Sequence, residues 1–252
     1  MELLVVMSIA SVLMALLSVG FQKVLGDSFT SEVSQLANTL VRARAYAMAN
    51  NTYVFVGIQE VNAATPSSAA QTTGYGRIGV SVVATNDGTR GYLASSIAAP
   101  TTIPVTALSQ FANTQLRTVS PLAHLENLHM TYLPAGTIPG SPNTNSTFYY
   151  NLSQYNGFYG QTACTSFTWP VGSATPQYTF GGANSSTNIT SVIQFDPQGE
   201  AQIVTGSNTD SNYQWIEIDL QPTHGNNVPA ATTNNAAIFI NGPSGAVSVF
   251  RQ

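Results

Sequence analysis

Two hydrophobic rhythms divide the chain. From Leu3 to Phe21 it is apolar on every side, with Glu2 at its head and no further charge until Lys23. As a helix that run would be about 28 Å long, enough to cross the hydrocarbon of a bilayer. The apolar positions then thin to a helical spacing. Val33, Leu36, Ala37, Leu40, Val41, Arg44, Ala47 and Met48 share one face, with Glu32, Gln35, Asn38, Thr39 and Arg42 between them. The pattern predicts one helix of nearly 50 residues, apolar all round in front and amphipathic behind. Gly20, Gly26 and the Asp27-Ser28 pair loosen its middle, since each glycine costs about 1 kcal/mol against alanine inside a helix.

Beyond residue 51 the period changes to two. Strands are predicted over 52–58, 76–85, 128–133, 147–152, 165–171, 189–195, 201–205, 213–220, 237–241 and 246–250, bounded by Gly, Pro, Asn and Ser. The clearest alternation is Trp215 to Leu220, with Ile216, Ile218 and Leu220 on one side and Glu217 and Asp219 on the other, which reads as a half-buried strand with a solvated face. Asp196-Pro197-Gln198-Gly199 and Asn241 to Gly245 supply turn chemistry. A helix followed by many antiparallel strands predicts an α+β fold.

Charged residues make up only 7% of the chain, against roughly 25% in an ordinary soluble domain. Solubility therefore rests on Asn, Thr, Ser, Gln and Gly. Seven Lys and Arg with a net charge of −4 leave no basic footprint, so a nucleic-acid partner is not expected. Cys164 is the only cysteine, which excludes an intrachain disulfide and a cysteine metal cage. His124-x-Glu126-x-x-His129 is the compact group with metal-ligand residue types, but its spacing matches no helix-borne zinc pattern and its neighbours Leu122, Leu125, Leu128 and Met130 read as core. Asp196 with Glu200, and Glu217 with Asp219, are acidic pairs with oxygens for Ca²⁺, and read more simply as solvated turn and strand positions. No metal, no cofactor and no catalytic arrangement is called for.

Glu2 carries the functional signal. A carboxylate heading a membrane-length apolar run costs roughly 2.5–3.5 kcal/mol unless it is paired or reaches the interface. Ser8, Ser11, Ala15 and Ser18 form a stripe of small residues along the same run, which lets another helix approach closely. Together they predict a helix that packs against copies of itself.

The segment Met1 to Ile9, MELLVVMSI, resembles the N-terminus of type IV pilins and type II secretion pseudopilins. The resemblance implies that Glu2 neutralises the N-terminal amine of a neighbouring subunit. It further implies that Leu3, Leu4, Val5, Val6, Ser8, Ser11, Ala15, Ser18 and Gly20 belong to the assembly helix. A narrower resemblance is to GspH/FimT-like pseudopilins. It rests on Leu40 to Met48 as the end of the long helix, Tyr53 to Ile58 as the first strand, Ile193 to Ala201 as a Phe-x-Pro-x-Gly turn, and Ala237 to Gly242 with Gly245 to Arg251 as the closing hairpin. It implies a pilin-like fold in which the rear half of the helix packs on an antiparallel sheet. Residues 1–26 would form the membrane and filament-core segment, and residues 27–252 the globular domain with an insert at about 134–188.

The family's basic leader, its peptidase site, its helix proline and its C-terminal cysteine pair are not in this sequence, so on this reading the numbering starts inside the mature chain. The function implied is that of a structural filament subunit, with copies of itself, the assembly machinery and prepilin peptidase as partners. It would sit in the inner membrane before assembly and in an extracellular or periplasmic filament afterwards. The alternative is a minor tip subunit acting in priming, adhesion or DNA uptake. Tyr149, Tyr150, Tyr155, Phe158, Tyr159, Trp169 and Tyr178 in the insert suit an adhesive face, a subunit contact or a small local core. Asn50, Asn145, Asn151, Asn184 and Asn188 each head an N-x-Ser/Thr triplet.

Overall fold

The structure, a computed structural model, describes Met7 and residues 28–72, 74–86, 88, 116–142, 149–153, 167–171, 177–180, 190–203, 213–230 and 234–252. Among them one helix, α1 (residues 28–50), packs against a large, mostly antiparallel sheet, giving an α+β fold. The front half of the predicted long helix lies outside the described residues.

The sheet is built from β1 (Val54–Asn62), β2 (Gly76–Thr85), β3 (Leu116–Thr118), β4 (Ala123–Met130), β5 (Tyr149–Asn151), β8 (Thr190–Phe195), β9 (Ala201–Ile203), β10 (Trp215–Pro222), β11 (Ala236–Asn241) and β12 (Val247–Arg251). Its order is β12-β11-β10-β4-β2-β1-β8-β9, with β3 added to β2 and β5 lying parallel to β10. A separate two-stranded sheet joins β6 (Phe167–Trp169) to β7 (Tyr178–Phe180).

The strand predicted over 76–85 is found residue for residue. The one predicted over 128–133 lies earlier, at Ala123–Met130, because Asn127 forms a bulge that hides the alternation: its φ is 57° and the register with β2 slips there. The short strands β3 and β7 have no counterpart in the sequence prediction.

The α1 residues Phe29, Val33, Leu36, Leu40, Ala43 and Ala47 are buried. Their spacing of three and four keeps them on one line. Val41 and Met48, expected on this face, are instead 47% and 40% exposed. Each follows a buried residue by one position, which turns it about 100° away. The stripe meets Val54, Val56 and Ile58 of β1, Val80 and Val82 of β2, Ile193 of β8, Ile216 and Ile218 of β10, and Ile238 of β11 in one cluster.

The sheet curls around this helix. Arg251 of β12 donates to Thr30 Oγ1 near the start of α1 (2.7 Å), and the Ala201 N–H at the other end of the strand order donates to Gly242 O (2.7 Å). The opposite face of the sheet is covered too. Phe167, Tyr178 and Phe180 of the two-stranded sheet pack on Phe55, Val83 and Val192, while Leu133 and Ile138 pack on Ala237 and Phe239. Gly57 and Gly79 make the first contact possible, since a Cβ on either would lie 2.4 Å from Phe180 or 2.3 Å from Tyr178. The molecule therefore has three layers in the described region: helix, sheet, and an outer layer of short elements.

Candidate functional site

The assembly residues read from the sequence, Glu2, Leu3, Leu4, Val5, Val6, Ser8, Ser11, Ala15, Ser18 and Gly20, lie outside the described residues. Of that run the structure describes Met7 alone, and it is exposed. Among the described residues no helix is long and apolar enough to cross a membrane. The body that the apolar run would carry is well defined, and its polar sites can be built residue by residue.

The first is the joint between the rear of α1 and the two turns named in the resemblance. Asp196 Oδ1 accepts the N–H groups of Gln198 (2.9 Å) and Glu200 (2.8 Å), fixing the turn between β8 and β9. Gly199, at φ 85°, lies so near Met48 and Arg44 that a Cβ would meet the Met48 sulfur at 2.7 Å, and its carbonyl accepts from Arg44 Nε at 3.3 Å. Gly245, in the turn between β11 and β12, sits against the same carbonyl and against Arg44. Two hairpin turns and one helix thus lock through an arginine stem and two side-chain-free positions.

The second site lies on the sheet face away from α1. The Asn127 bulge brings His129 to the same face as His124 and Glu126, which strict alternation would not do. The three then go to different partners. His129 Nδ1 and Glu60 Oε1 share a hydrogen bond of 2.8 Å, and the Tyr75 ring meets the imidazole edge-on at 4.8 Å. Arg77 Nε donates to Glu126 Oε1 (2.5 Å), while its terminal nitrogens bond the carbonyls of Thr65 and Ala63. His124 Nδ1 faces the Tyr178 hydroxyl at 3.1 Å.

Burial raises the pKa of Glu60, although its bonds to His129, Gly76 and Met130 pull the other way. Burial also lowers His124, with the Arg77 charge adding to the effect, and pushes the Tyr178 hydroxyl up to about 12. A neutral imidazole accepting from a neutral phenol is the arrangement these directions favour. Among the described residues no three His, Cys, Asp or Glu side chains converge as a metal site.

The third site corrects a sequence reading. Glu217 and Asp219, expected on a solvated strand face, are 2% and 0% exposed. The Asn151 amide donates to Glu217 Oε2 and to Asp219 Oδ2, both at 2.7 Å, and the Leu133 N–H donates to Asp219 Oδ2 at 2.9 Å. Asn151 Oδ1 in turn accepts the Ser153 N–H at 2.8 Å, which fixes the amide orientation. Its N–H groups, not its oxygen, therefore point at the carboxyls. Asn151 is fully buried, so this triplet offers no side chain to a sugar. Asn50 is exposed and its amide donates to Tyr46 O at 3.0 Å, whereas Asn145, Asn184 and Asn188 lie outside the described residues.

The insert aromatics that are described point mostly inward. Tyr178 is 1% and Tyr150 8% exposed, and Tyr149 and Trp169 are partly covered. The local-core reading fits these four. Tyr155, Phe158, Tyr159 and Cys164 lie outside the described residues.

A surface groove of about 640 Å³ runs between α1 and the β2–β4 side of the sheet, lined by Ser34, Asn38, Arg42 and Tyr46 from the helix and by Val82 and Pro121 opposite. It is polar on one wall and apolar on the other, with Arg42 the charged residue among the described lining.

Comparison of the chain with protein-family models, with curated proteins and with solved structures found no match.

The buried clusters were the part of these sites that sequence reasoning missed. Asn151 is 66 residues from Glu217, and Glu60 is 69 from His129. A usable signal was the pairing of acidic residues with strand positions in a chain so poor in charge, since a carboxylate kept there without a nearby Lys or Arg has to find neutral donors.

Proposed function

We propose that this chain is a structural subunit of a type IV pilus-like or pseudopilus filament, held in the inner membrane first and polymerising through its N-terminal apolar helix. The observation that supports this reading most is the placement of α1. Its described part runs from residue 28, shortly after the apolar run of the sequence, and a curled sheet clasps it along one stripe. Such a body would transmit force from a greasy front segment to a rigid head. In a filament core, apolar burial at roughly 25 cal/mol per Å² would supply cohesion, and Glu2 paired with a neighbour's amine would supply register. The contact is heterologous, so it propagates. The outward face of α1, with Val41 and Met48 exposed one heptad apart, suits contact with further copies.

The tip-adhesin alternative draws less support, because the described insert aromatics are largely spent on local packing. A structural role also accords with His124, Glu126 and His129 each being engaged by a different neighbour.

Glu2→Ala tests the proposal. The variant should fold and stay with the membrane, but surface shearing and electron microscopy should show filaments lost or shortened. Filaments of normal length and number would overturn the role given to Glu2. Subunit stoichiometry in the sheared material separates a major subunit from a tip subunit.

A further inference from the structure

The Glu217–Asp219 site, independent of the filament reading, has a built-in titration. The two carboxyls leave the same face of β10 two residues apart and enter a space closed by residues 131–133 and by β5. Asn151 bridges them, Leu133 caps Asp219, and Ser153 ties β5 to the Asp219 backbone: its hydroxyl accepts the Asp219 N–H (2.9 Å) and donates to Asp219 O (3.0 Å). Leu152 N–H donates to Glu217 O at 2.8 Å.

No cation is among the groups acting on Asp219, which are Asn151, the Leu133 N–H and Glu217 itself. On neighbouring elements, β11 presents Ala237 and Phe239 across from the pair. On β5 the titratable group is Tyr149, whose hydroxyl is buried. Tyr132 of residues 131–133 is exposed, and His129 of β4 lies beside Gln221 and is held by Glu60. Asp219 Oδ1 is buried and receives no donor among the described residues, while Glu217 is within hydrogen-bonding reach of the Asp219 carboxyl. A proton shared between the carboxyls would supply the missing donor.

We propose that Glu217 and Asp219 form a one-proton latch that holds β5 and residues 131–133 on β10 in acidic medium and slackens when that proton is lost. With the proton in place the pair carries one negative charge, which three N–H donors satisfy. Without it, two negative charges share a dry site in which no described cation acts on Asp219. The strain falls on the least anchored partners: β5 has three residues and, among the described residues, pairs with β10 alone. Burial pushes Asp219 from its ordinary 3.8 up to about 6. The folded chain thus holds a proton that the unfolded chain releases, so this contribution to stability is complete below pH 4 or so and is lost as pH rises through about 6.

The test is amide hydrogen exchange on the full chain at pH 5 and pH 8, corrected for intrinsic rates. Leu133, Leu152 and Ser153 should lose about tenfold or more in protection at the higher pH, while Val56 and Ile193 in the helix-side core hold theirs. Asp219→Asn, which mimics the protonated form and still donates to Glu217, should keep high protection at both. Equal protection of the wild type at both pH values would overturn the latch. So would loss spread evenly over the core, or an unchanged pH response in Asp219→Asn. Should that variant fail to fold, Glu217→Gln is read by the same criterion, and should both fail the wild-type exchange decides alone.

Discussion

The two faces of the sheet solve burial in opposite ways. Toward α1 the strands present Val, Ile, Leu and Ala, and the cluster they form with the helix is wholly apolar apart from tyrosine hydroxyls. Away from α1 the same strands present Gly57, Arg77, Gly79, Ser81, Gln194, Glu217 and Asp219, all of them internal positions of β1, β2, β8 and β10. That face is also covered, by aromatic rings over the glycines and by N–H donors around the acids. The lesson is that alternation reports which face meets a helix but not whether the other face meets water. A polar strand position is solvated only if no later segment of the chain folds over it.

Three substitutions sharpen the contrast. Leu36→Ala removes a fully buried side chain from the helix stripe. It should cost about 2–5 kcal/mol, read as a lower urea midpoint with unchanged slope. A loss well under that range would mean that α1 is not the centre of the core. Gly79→Ala drives a methyl into Tyr178 and should cost about 1–3 kcal/mol. In a Tyr178→Ala background the cost should shrink, and a double-mutant cycle showing no coupling would contradict the close approach of the outer layer. Arg251→Ala cuts an exposed tie between β12 and α1 and should cost about 1 kcal/mol or less. A large loss there would show that the sheet edge, not its centre, clasps the helix.

The pH response comes from buried groups of the sheet. Glu60 and Asp219 are both pushed up by burial, so each favours the folded state at lower pH and costs stability as pH rises. His124, pushed down by burial, works against them, since its contribution is lost as pH falls.

Much of this was legible beforehand. Ten of the twelve described strands were foreseen in place or within a few residues, because β-branched runs between turn residues carry their own signal. The helical stripe was foreseen in period, and Val33, Leu36, Ala37, Leu40 and Ala47 were foreseen on its buried side. Val41 and Met48 are as apolar as their neighbours, and only the line along which the sheet curls selects Phe29 and Ala43 instead. The turn at Asp196 to Gly199 was readable from local chemistry, whereas its seat on Arg44, 155 residues away, was not.

The sequence by itself determined the apolar run headed by Glu2, the α+β class, the antiparallel strands and the low charge content, since each depends on spacing and composition. The tertiary structure decided the rest: that Asn151 faces two carboxyls, that a bulge swings His129 beside Glu60, and that the strand face expected in water is roofed. Those outcomes rest on contacts between segments many tens of residues apart, whose free energy no local pattern contains.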